Sequence, residues 1–322
     1  MAEISSQLEP AVAWLTRGDV VAIPTETVYG LAGNALDETA ISRVFEVKKR
    51  PRQNPLIVHL AGVERLDEFV THVPETARKL AAHFWPGPLT MVLPKSERIS
   101  LSVTAGQDTV AVRVPDHPLT LALLQALPFP LVAPSANPYG YISPTSAQHV
   151  ERQLGDKVPY ILDGGSCKKG IESTIIGFKG ETPVVYRAGS LPIAAIEAVV
   201  GRVEHPKAGQ KAVVTAGMST SHYAPRTPLY LTHGAATLRL SMPDGRYGLL
   251  AFRKQYDMSG WKEQIVLSPS GNLEEAAHRL YEALHTLDEA GLDAIIAEYV
   301  PNTGLGEALN DRLRRAALHV LE

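Results

Sequence analysis

The stretch Asp19-Val-Val-Ala-Ile-Pro-Thr-Glu-Thr-Val-Tyr-Gly30 decides the fold class, because it joins a compact apolar strand to a polar turn. The apolar run predicts a buried strand that ends at Pro24. Two threonine hydroxyls, one carboxylate and a glycine follow it within residues 25–30. Taken alone, residues 24–30 are more typical of an ordinary capped turn than of a functional segment.

Similar apolar runs recur as far as residue 191, with helical segments between them. Asp37 is placed to cap a helix whose apolar face carries Ala40, Ile41, Val44 and Phe45. Further strands are predicted at 56–60, 88–93, 109–114, 131–133 and 173–178, and a short helix at 119–127. Since strands outnumber helices, we expect an α/β domain built on an open, twisted, mixed sheet with flanking helices.

The composition changes after this domain. Residues 201–228 are rich in Gly, Ala, Ser, Thr and Pro and show little periodicity, which favours a linker or a lid. From residue 229 a smaller α/β domain is predicted, with strands at 247–252 and 294–297 and a helix from Asn272 to Gly291. A last helix is predicted over 306–320. The expected domains are therefore 1–200, the linker or lid 201–228, and 229–322.

Length and composition limit the function classes. A chain of 322 residues suggests two domains, and its net charge of -3 argues against a broad nucleic-acid or membrane surface. The single cysteine, Cys167, and the absence of a secretion signal at the N-terminus suggest a cytoplasmic protein. Pro128, Pro130, Pro134, Pro138 and Pro144 interrupt the longest stretch without charged residues, 117–150, so no membrane span is expected.

The sequence lacks the motifs of several familiar enzyme classes and binding sites. The glycine spacing of Gly165 and Gly170 resembles a phosphate-binding loop, but Ile171 and Glu172 stand where Lys and Ser or Thr are required. The sequence has no G-x-G-x-x-G, G-x-S-x-G or H-E-x-x-H, and its histidines are scattered. We therefore predict neither a covalent nucleophile nor a metal held by protein ligands.

Two other segments allow two interpretations each. Lys48-Lys-Arg-Pro-Arg-Gln-Asn-Pro-Leu56 is either a solvated charged face or a pocket for a polyanion of triphosphate size. Ala133-Pro-Ser-Ala-Asn-Pro138, with Ser143-Pro-Thr145, is either a set of proline turns or a nucleotide-binding loop after a strand.

Together these segments resemble a known family. The chain contains, in the family's order, P-T-E-T-V-Y-G-L, K-K-R-P-R-Q-N-P-L, F-W-P-G-P-L-T, V-A-V-R-V-P, A-P-S-A-N, E-S-T-I-I and V-Y-R-A-G. Over roughly residues 8–200 these motifs resemble the YrdC-like domain. The later S-H-Y-A-P at 221–225, followed by an α/β unit, is similar to the two-domain form of the threonylcarbamoyl-AMP synthase family. The resemblance implies a concave active-site cleft in the first domain and a Rossmann-like second domain.

The resemblance also implies an activity. This family of nucleotidyltransferases condenses L-threonine, bicarbonate and ATP into threonylcarbamoyl-AMP and pyrophosphate, the first step of threonylcarbamoyladenosine modification of tRNA. Magnesium is expected to accompany ATP, and the product is expected to pass to the tRNA threonylcarbamoyl transferase complex. Positioning and charge neutralisation can carry this chemistry, so no protein nucleophile is needed.

The family's motifs assign roles to individual residues. Its K-x-R falls on Lys48 and Arg50, the predicted catalytic cations. The residues expected to contact ATP are Arg50, Asn54, Thr109, Ser135, Asn137, Ser143, Arg187 and Tyr223. Those expected to hold threonine are Thr27, His59, Arg113 and Ser173. For His59, an ordinary core histidine at a strand end is the competing interpretation.

Two other functions stay open at this point. One is a carbamoyl-transfer module like the YrdC-like part of hydrogenase-maturation proteins, although the acylphosphatase and zinc-finger segments of those proteins are missing here. The other is a non-catalytic RNA-binding protein, against which the net charge of -3 weighs.

Overall fold

The computed structural model describes residues 1–205, 222–257 and 259–321. The chain forms two compact units. The described part of the first unit comprises residues 1–139, 144–168 and 172–205, and that of the second comprises 140–143, 169–171 and the residues from 222 onward. Most of the predicted linker or lid, 206–221, lies outside the described residues.

The first unit is built on a ten-stranded sheet with the order β1-β8-β2-β3-β7-β4-β6-β5-β9-β10. The strands are β1 (Glu3–Ser5), β2 (Val21–Ile23), β3 (Gly30–Asn34), β4 (Ile57–His59), β5 (Leu89–Pro94), β6 (Thr109–Arg113), β7 (Leu131–Val132), β8 (Tyr160–Leu162), β9 (Thr174–Lys179) and β10 (Thr182–Arg187). The helices are α1 (Leu8–Thr16), α2 (Glu38–Lys48), α3 (Glu75–Phe84), α4 (Leu101–Thr104), α5 (Pro118–Ala126), α6 (Ala147–Leu154) and α7 (Ile193–Val200). Parallel and antiparallel pairs alternate irregularly, which confirms the predicted mixed sheet.

The local elements follow from the sequence as predicted. All three residues of β2 are buried, and the strand ends immediately before Pro24. Helix α2 begins after Asp37, whose carboxylate accepts a hydrogen bond of 2.8 Å from the Thr39 amide. This cap satisfies one of the amides that a helix leaves unpaired at its start.

Strand register separates an apolar face from a polar one in the centre of this sheet. Ile57 pairs with Ala111 and His59 with Arg113 in parallel, while Met91 pairs antiparallel with Val112. Paired residues share a face and successive residues alternate. The intervening side chains Val58, Val110, Val112, Met91 and Ile176 belong to the main hydrophobic core. The opposite face is therefore free to carry functional groups.

The second unit contains a five-stranded, all-parallel sheet with the order β13-β12-β14-β11-β15. Its strands are β11 (Leu229–Thr232), β12 (Tyr247–Ala251), β13 (Glu263–Val266), β14 (Ala294–Glu298) and β15 (His319–Leu321). Its helices are α8 (Ala235–Ser241), α9 (Leu273–Glu289) and α10 (Leu305–Ala316). Asn272 caps α9 as predicted, by accepting from the amides of Glu274 and Glu275.

The end of the chain differs from the prediction. The helix predicted over 306–320 stops at Ala316, and residues 319–321 instead form β15, which pairs in parallel with β11. The backbone groups of this segment find partners on the edge of the sheet, an interaction that helical periodicity does not reveal. Among the described residues, no helix is long and apolar enough to cross a membrane.

Candidate active site

One face of the first unit's sheet carries a row of polar side chains from four strands, β4, β6, β5 and β10. On β6, Thr109 and Arg113 lie on the same face, two alternations apart. His59 on β4 is in register with Arg113. Thr90 on β5 and Arg187 on β10 both pair with Ile175 of β9, which places them on this face as well.

Arg113 is buried at the centre of this row and has three partners. Its Nη2 atom donates to the Thr27 hydroxyl at 3.0 Å and lies 2.7 Å from a carboxylate oxygen of Glu26. Its Nε atom donates to the Gly87 carbonyl at 3.3 Å. The loop that follows β2 is thereby tied to the end of β6. A guanidinium held in this way keeps a fixed orientation toward a carboxylate ligand.

His59 is buried beside Arg113. Its Nδ1 atom lies 3.2 Å from the Ile57 carbonyl oxygen, which can only accept, so Nδ1 carries the proton. Burial, followed by the positive charge of Arg113, lowers the pKa of His59 to about 3. The imidazole is therefore neutral at physiological pH, and its Nε2 atom is a hydrogen-bond acceptor.

Ser173, the residue before β9, contacts Thr90 of β5 and Arg187 of β10. Its hydroxyl lies 2.8 Å from that of Thr90. Arg187 donates through Nη2 to the Ser173 carbonyl at 2.8 Å and to its hydroxyl at 3.3 Å. Ser173 and Arg187, which the sequence assigns to different substrates, are thus in direct contact.

The basic run after α2 alternates between buried and exposed cations. Lys49 and Arg52 are exposed, whereas Lys48 and Arg50, the two residues of the family's K-x-R, are buried. The Lys48 ammonium donates to the carbonyl oxygens of Ser135 and Asn137. Burial, together with Arg50, lowers the pKa of Lys48 well below its usual value. Lys48 therefore shapes the loop that follows β7.

Arg50 organises the segment that leads into β4. Its Nη2 atom donates to the Pro55 carbonyl at 3.0 Å and its Nε to the Asn54 carbonyl at 3.3 Å. The Asn54 side-chain amide donates to the Tyr139 hydroxyl at 2.9 Å. The guanidinium carbon of Arg50 lies 6.0 Å from the centre of the Tyr139 ring. The residues expected to bind ATP in this segment thus form one connected group.

Comparison with known proteins agrees with this geometry. A family model described as "Telomere recombination" matches residues 13–189, and one described as "Threonylcarbamoyl-AMP synthase, C-terminal domain" matches residues 191–318. The threonylcarbamoyl-AMP synthase of Pyrococcus abyssi is 43% identical and covers 95% of this chain and 93% of its own length. The Bacillus subtilis synthase is 40% identical, over 97% of this chain and 93% of its own.

A solved structure matches over the same extent. The crystal structure of Pyrococcus abyssi Sua5 complexed with L-threonine has a TM-score of 0.90 and 38% identity, over 100% of this chain and 99% of that chain. The chain belongs to the threonylcarbamoyl-AMP synthase family. This membership confirms the resemblance, the two-domain fold and the type of enzyme inferred from the motifs.

Two of the expected ATP-binding residues of this chain belong to the second unit. The Ser143 carbonyl oxygen lies 3.2 Å from Nε2 of His285. Tyr223 is buried with a φ of 66°, and its ring stacks on that of Tyr281 with 5.8 Å between centroids. The guanidinium of Arg312 lies 5.3 Å from the centre of the Tyr223 ring. The motifs did not point to Tyr281 or Arg312.

Sequence reasoning also missed the roles of two residues in the first unit. Thr90 contacts Ser173 only because β5 and β9 are neighbours, which no local pattern shows. Glu26 lies inside the conspicuous P-T-E-T motif, and its side chain is 2% exposed. A carboxylate between threonines after an apolar strand was the available signal.

The described part of the chain holds no group of three or more His, Cys, Asp or Glu side chains that could bind a metal. The residues expected to contact ATP carry cations, amides and hydroxyls, and none of them is a carboxylate.

Proposed function

We propose that this chain joins L-threonine, bicarbonate and ATP into threonylcarbamoyl-AMP with release of pyrophosphate. Membership of the synthase family gives the reaction type. The observation that carries the proposal is the polar row around Arg113, which presents a buried guanidinium, a neutral imidazole and hydroxyls on one face. These groups match the carboxylate, amine and hydroxyl of threonine.

Threonine is proposed to bind at the Arg113 end of the row. Arg113 receives the carboxylate through its planar fork of donors. Thr27, His59 and Ser173 surround the remaining polar groups, and the Nε2 atom of His59 can accept a hydrogen bond from a hydroxyl or an amine. A site that hydrogen-bonds a substrate hydroxyl rejects an analogue without it, because its own polar groups remain unpaired.

ATP is proposed to bind toward the other end of β6. Thr109 lies four residues from Arg113 on the same face, which corresponds to roughly 13 Å of strand. Asn54, Ser135 and Asn137 belong to the group of segments that Lys48 and Arg50 hold in place. Arg187 reaches the same row through Ser173. Arg50 and Arg187 would neutralise phosphate charge.

The proposed chemistry needs no covalent intermediate on the protein. Carboxylation of the threonine amine gives a carbamate, whose oxygen attacks the α-phosphorus of ATP as pyrophosphate leaves. Burial of Arg113, His59 and Ser173 restricts access of water to a carbamate that water destroys. Magnesium is proposed to arrive with ATP as part of the substrate.

Pyrophosphate release tests this proposal. The full chain is incubated with MgATP, bicarbonate and L-threonine, and each component is omitted in turn. Pyrophosphate should appear only when all three are present. Valine should replace threonine poorly, and serine, which lacks only the methyl group, should replace it better. Equal release with valine and threonine would contradict the proposed threonine site.

Threonylcarbamoyl-AMP is proposed to feed threonylcarbamoyladenosine formation in tRNA. The mixed anhydride is reactive, so direct transfer to a tRNA threonylcarbamoyl transferase complex is the proposed fate of the product.

A further inference from the structure

Glu26 is a buried carboxylate in direct contact with the predicted threonine site. Its Oε1 atom lies 2.7 Å from Nη2 of Arg113, and the two side chains are 2% and 5% exposed. The same Nη2 atom donates to Thr27 at 3.0 Å. Both carboxylate oxygens of Glu26 are buried, and neither has a hydrogen-bond partner among the residues that the structure describes. Burying a carboxylate oxygen without a donor is costly unless a ligand supplies one.

Two further titratable groups, His117 and Cys167, interact electrostatically with Glu26, and the pKa of each is shifted toward its uncharged form. Burial lowers the pKa of His117, which interacts electrostatically with Glu26 from the residue before α5. Burial raises the pKa of Cys167, which interacts with both Glu26 and Arg113 from the loop after β8. Arg113 is a charged partner of Glu26, at ion-pair distance.

The Glu26–Arg113 pair has the charge pattern that an α-amino acid requires. Such a ligand carries a carboxylate and an ammonium group on one carbon atom. A guanidinium and a carboxylate 2.7 Å apart offer one complementary partner to each. The two side chains neutralise each other. A zwitterion that enters between them replaces one ion pair by two.

We propose that Glu26 binds the ammonium group of threonine and removes its proton. This inference rests on the proposed function, because it assigns a base to that reaction. Protonated threonine has no lone pair on nitrogen and cannot be carboxylated. The nitrogen must lose one proton first, and a carboxylate next to the carboxylate-binding guanidinium is placed to accept it.

The proton balance is complete. The ammonium group gives one proton to Glu26, which leaves a neutral amine and a neutral carboxylic acid. The amine lone pair forms the bond to the carbon of bicarbonate, and loss of water yields the carbamate anion. Because Glu26 is then uncharged, it does not repel the new anion. Its proton passes to solvent after pyrophosphate leaves.

The pH dependence of the substitution Glu26→Gln tests this assignment. The amide keeps the size of the side chain but cannot accept the proton. At pH 7.5, kcat/KM for threonine should fall about 100-fold or more. Between about pH 7.5 and 9, kcat/KM of the variant divided by that of the wild-type chain should rise close to tenfold per pH unit. Without a base in the site, only threonine whose amine is already deprotonated in solution can react.

Two further variants complete the experiment. Glu26→Asp retains a carboxylate and should keep the wild-type pH profile at a lower rate. Glu298 is a carboxylate of the second unit that accepts a hydrogen bond from the Tyr256 hydroxyl. As a control, Glu298→Gln should leave both kcat/KM for threonine and its pH profile unchanged. Calorimetry reports whether the Glu26→Gln variant still binds threonine, and thermal unfolding reports whether it is folded.

The possible outcomes are distinct. A Glu26→Gln chain with a raised KM but the wild-type pH profile would overturn the base assignment and leave Glu26 as a support for Arg113. A steep profile for Glu26→Asp would also overturn it. Absence of pyrophosphate release by the wild-type chain would instead contradict the proposed function itself.

Discussion

Arg113 is the residue on which the threonine site depends. The V-A-V-R-V-P motif identified it, and the structure adds the three partners that fix its side chain. Of these, Thr27 and Glu26 are 86 and 87 positions away in the sequence. Such contacts depend on strand order, so the sequence could name the residue but not its surroundings.

Replacement of Arg113 by lysine should separate charge from geometry. Arg113→Lys keeps one positive charge but loses the planar fork. Loss of a charge-assisted hydrogen bond costs roughly 1.5–3 kcal/mol, so threonine should bind about 10- to 100-fold more weakly. ATP affinity should be unchanged. Calorimetry with each ligand measures both, and threonine affinity equal to that of the wild type would contradict the role of Arg113.

His59 predicts how stability varies with pH. Burial and Arg113 hold its pKa at about 3 in the fold, against 6.5 in the unfolded chain. Between these values the unfolded chain binds the extra proton. The contribution of neutral His59 to the free energy of unfolding is therefore complete above pH 6.5. It declines by about 1.4 kcal/mol per pH unit as the pH falls toward 3.

Urea unfolding at pH 7 and pH 5 measures this decline. The wild-type chain should lose more stability between the two values than the His59→Gln variant does. His117 contributes in the same direction, since burial also lowers its pKa, and it remains in both chains. An identical loss in the two chains would show that His59 is protonated in the fold.

At the scale of elements, apolar runs predicted the central strands well, and pairing between distant segments determined the rest. Strands β4, β5, β6 and β9 lie where alternation placed them. The glycine-containing strand β3 was not predicted, because it is fixed by β2 on one side and β7 on the other. The last helix was predicted too long for the same reason, because residues 319–321 pair with β11 and form the strand β15.

Helix α2 and the loop after β7 are joined by Lys48, which yields a matched pair of variants. Lys48→Met removes a buried donor from two carbonyl groups, and each unsatisfied group costs roughly 1–3 kcal/mol. Lys49→Met alters the neighbouring exposed lysine. Only Lys48→Met should lower the unfolding temperature and weaken ATP binding. Equal ATP affinity in the two variants would show that Lys48 does not organise the nucleotide site.

At the scale of the whole molecule, the family resemblance predicted two domains of unequal size, and the chain matches its relatives over nearly its full length. The roles of Ser143 and Tyr223 in ATP binding stay predictions. Their surroundings in the second unit, including Tyr281 and Arg312, could not be read from the sequence because the contacts join segments far apart in the chain.

Net charge provides a prediction about RNA. A chain with a net charge of -3 has no basic excess to neutralise a phosphate backbone. Filter binding of tRNA at two salt concentrations should show weak retention, and added tRNA should not alter pyrophosphate release. Tight, salt-sensitive retention of tRNA, together with no detectable formation of an adenylate, would favour an RNA-binding protein.

Isotope transfer from bicarbonate tests the central claim most directly. The full chain is incubated with MgATP, L-threonine and bicarbonate labelled with carbon-13, and the products are analysed at once by mass spectrometry. We expect a threonine-containing adenylate that carries one labelled carbon, formed in equal amount with pyrophosphate. An adenylate of threonine without the label, or ADP and phosphate in place of AMP-linked product, would contradict the account.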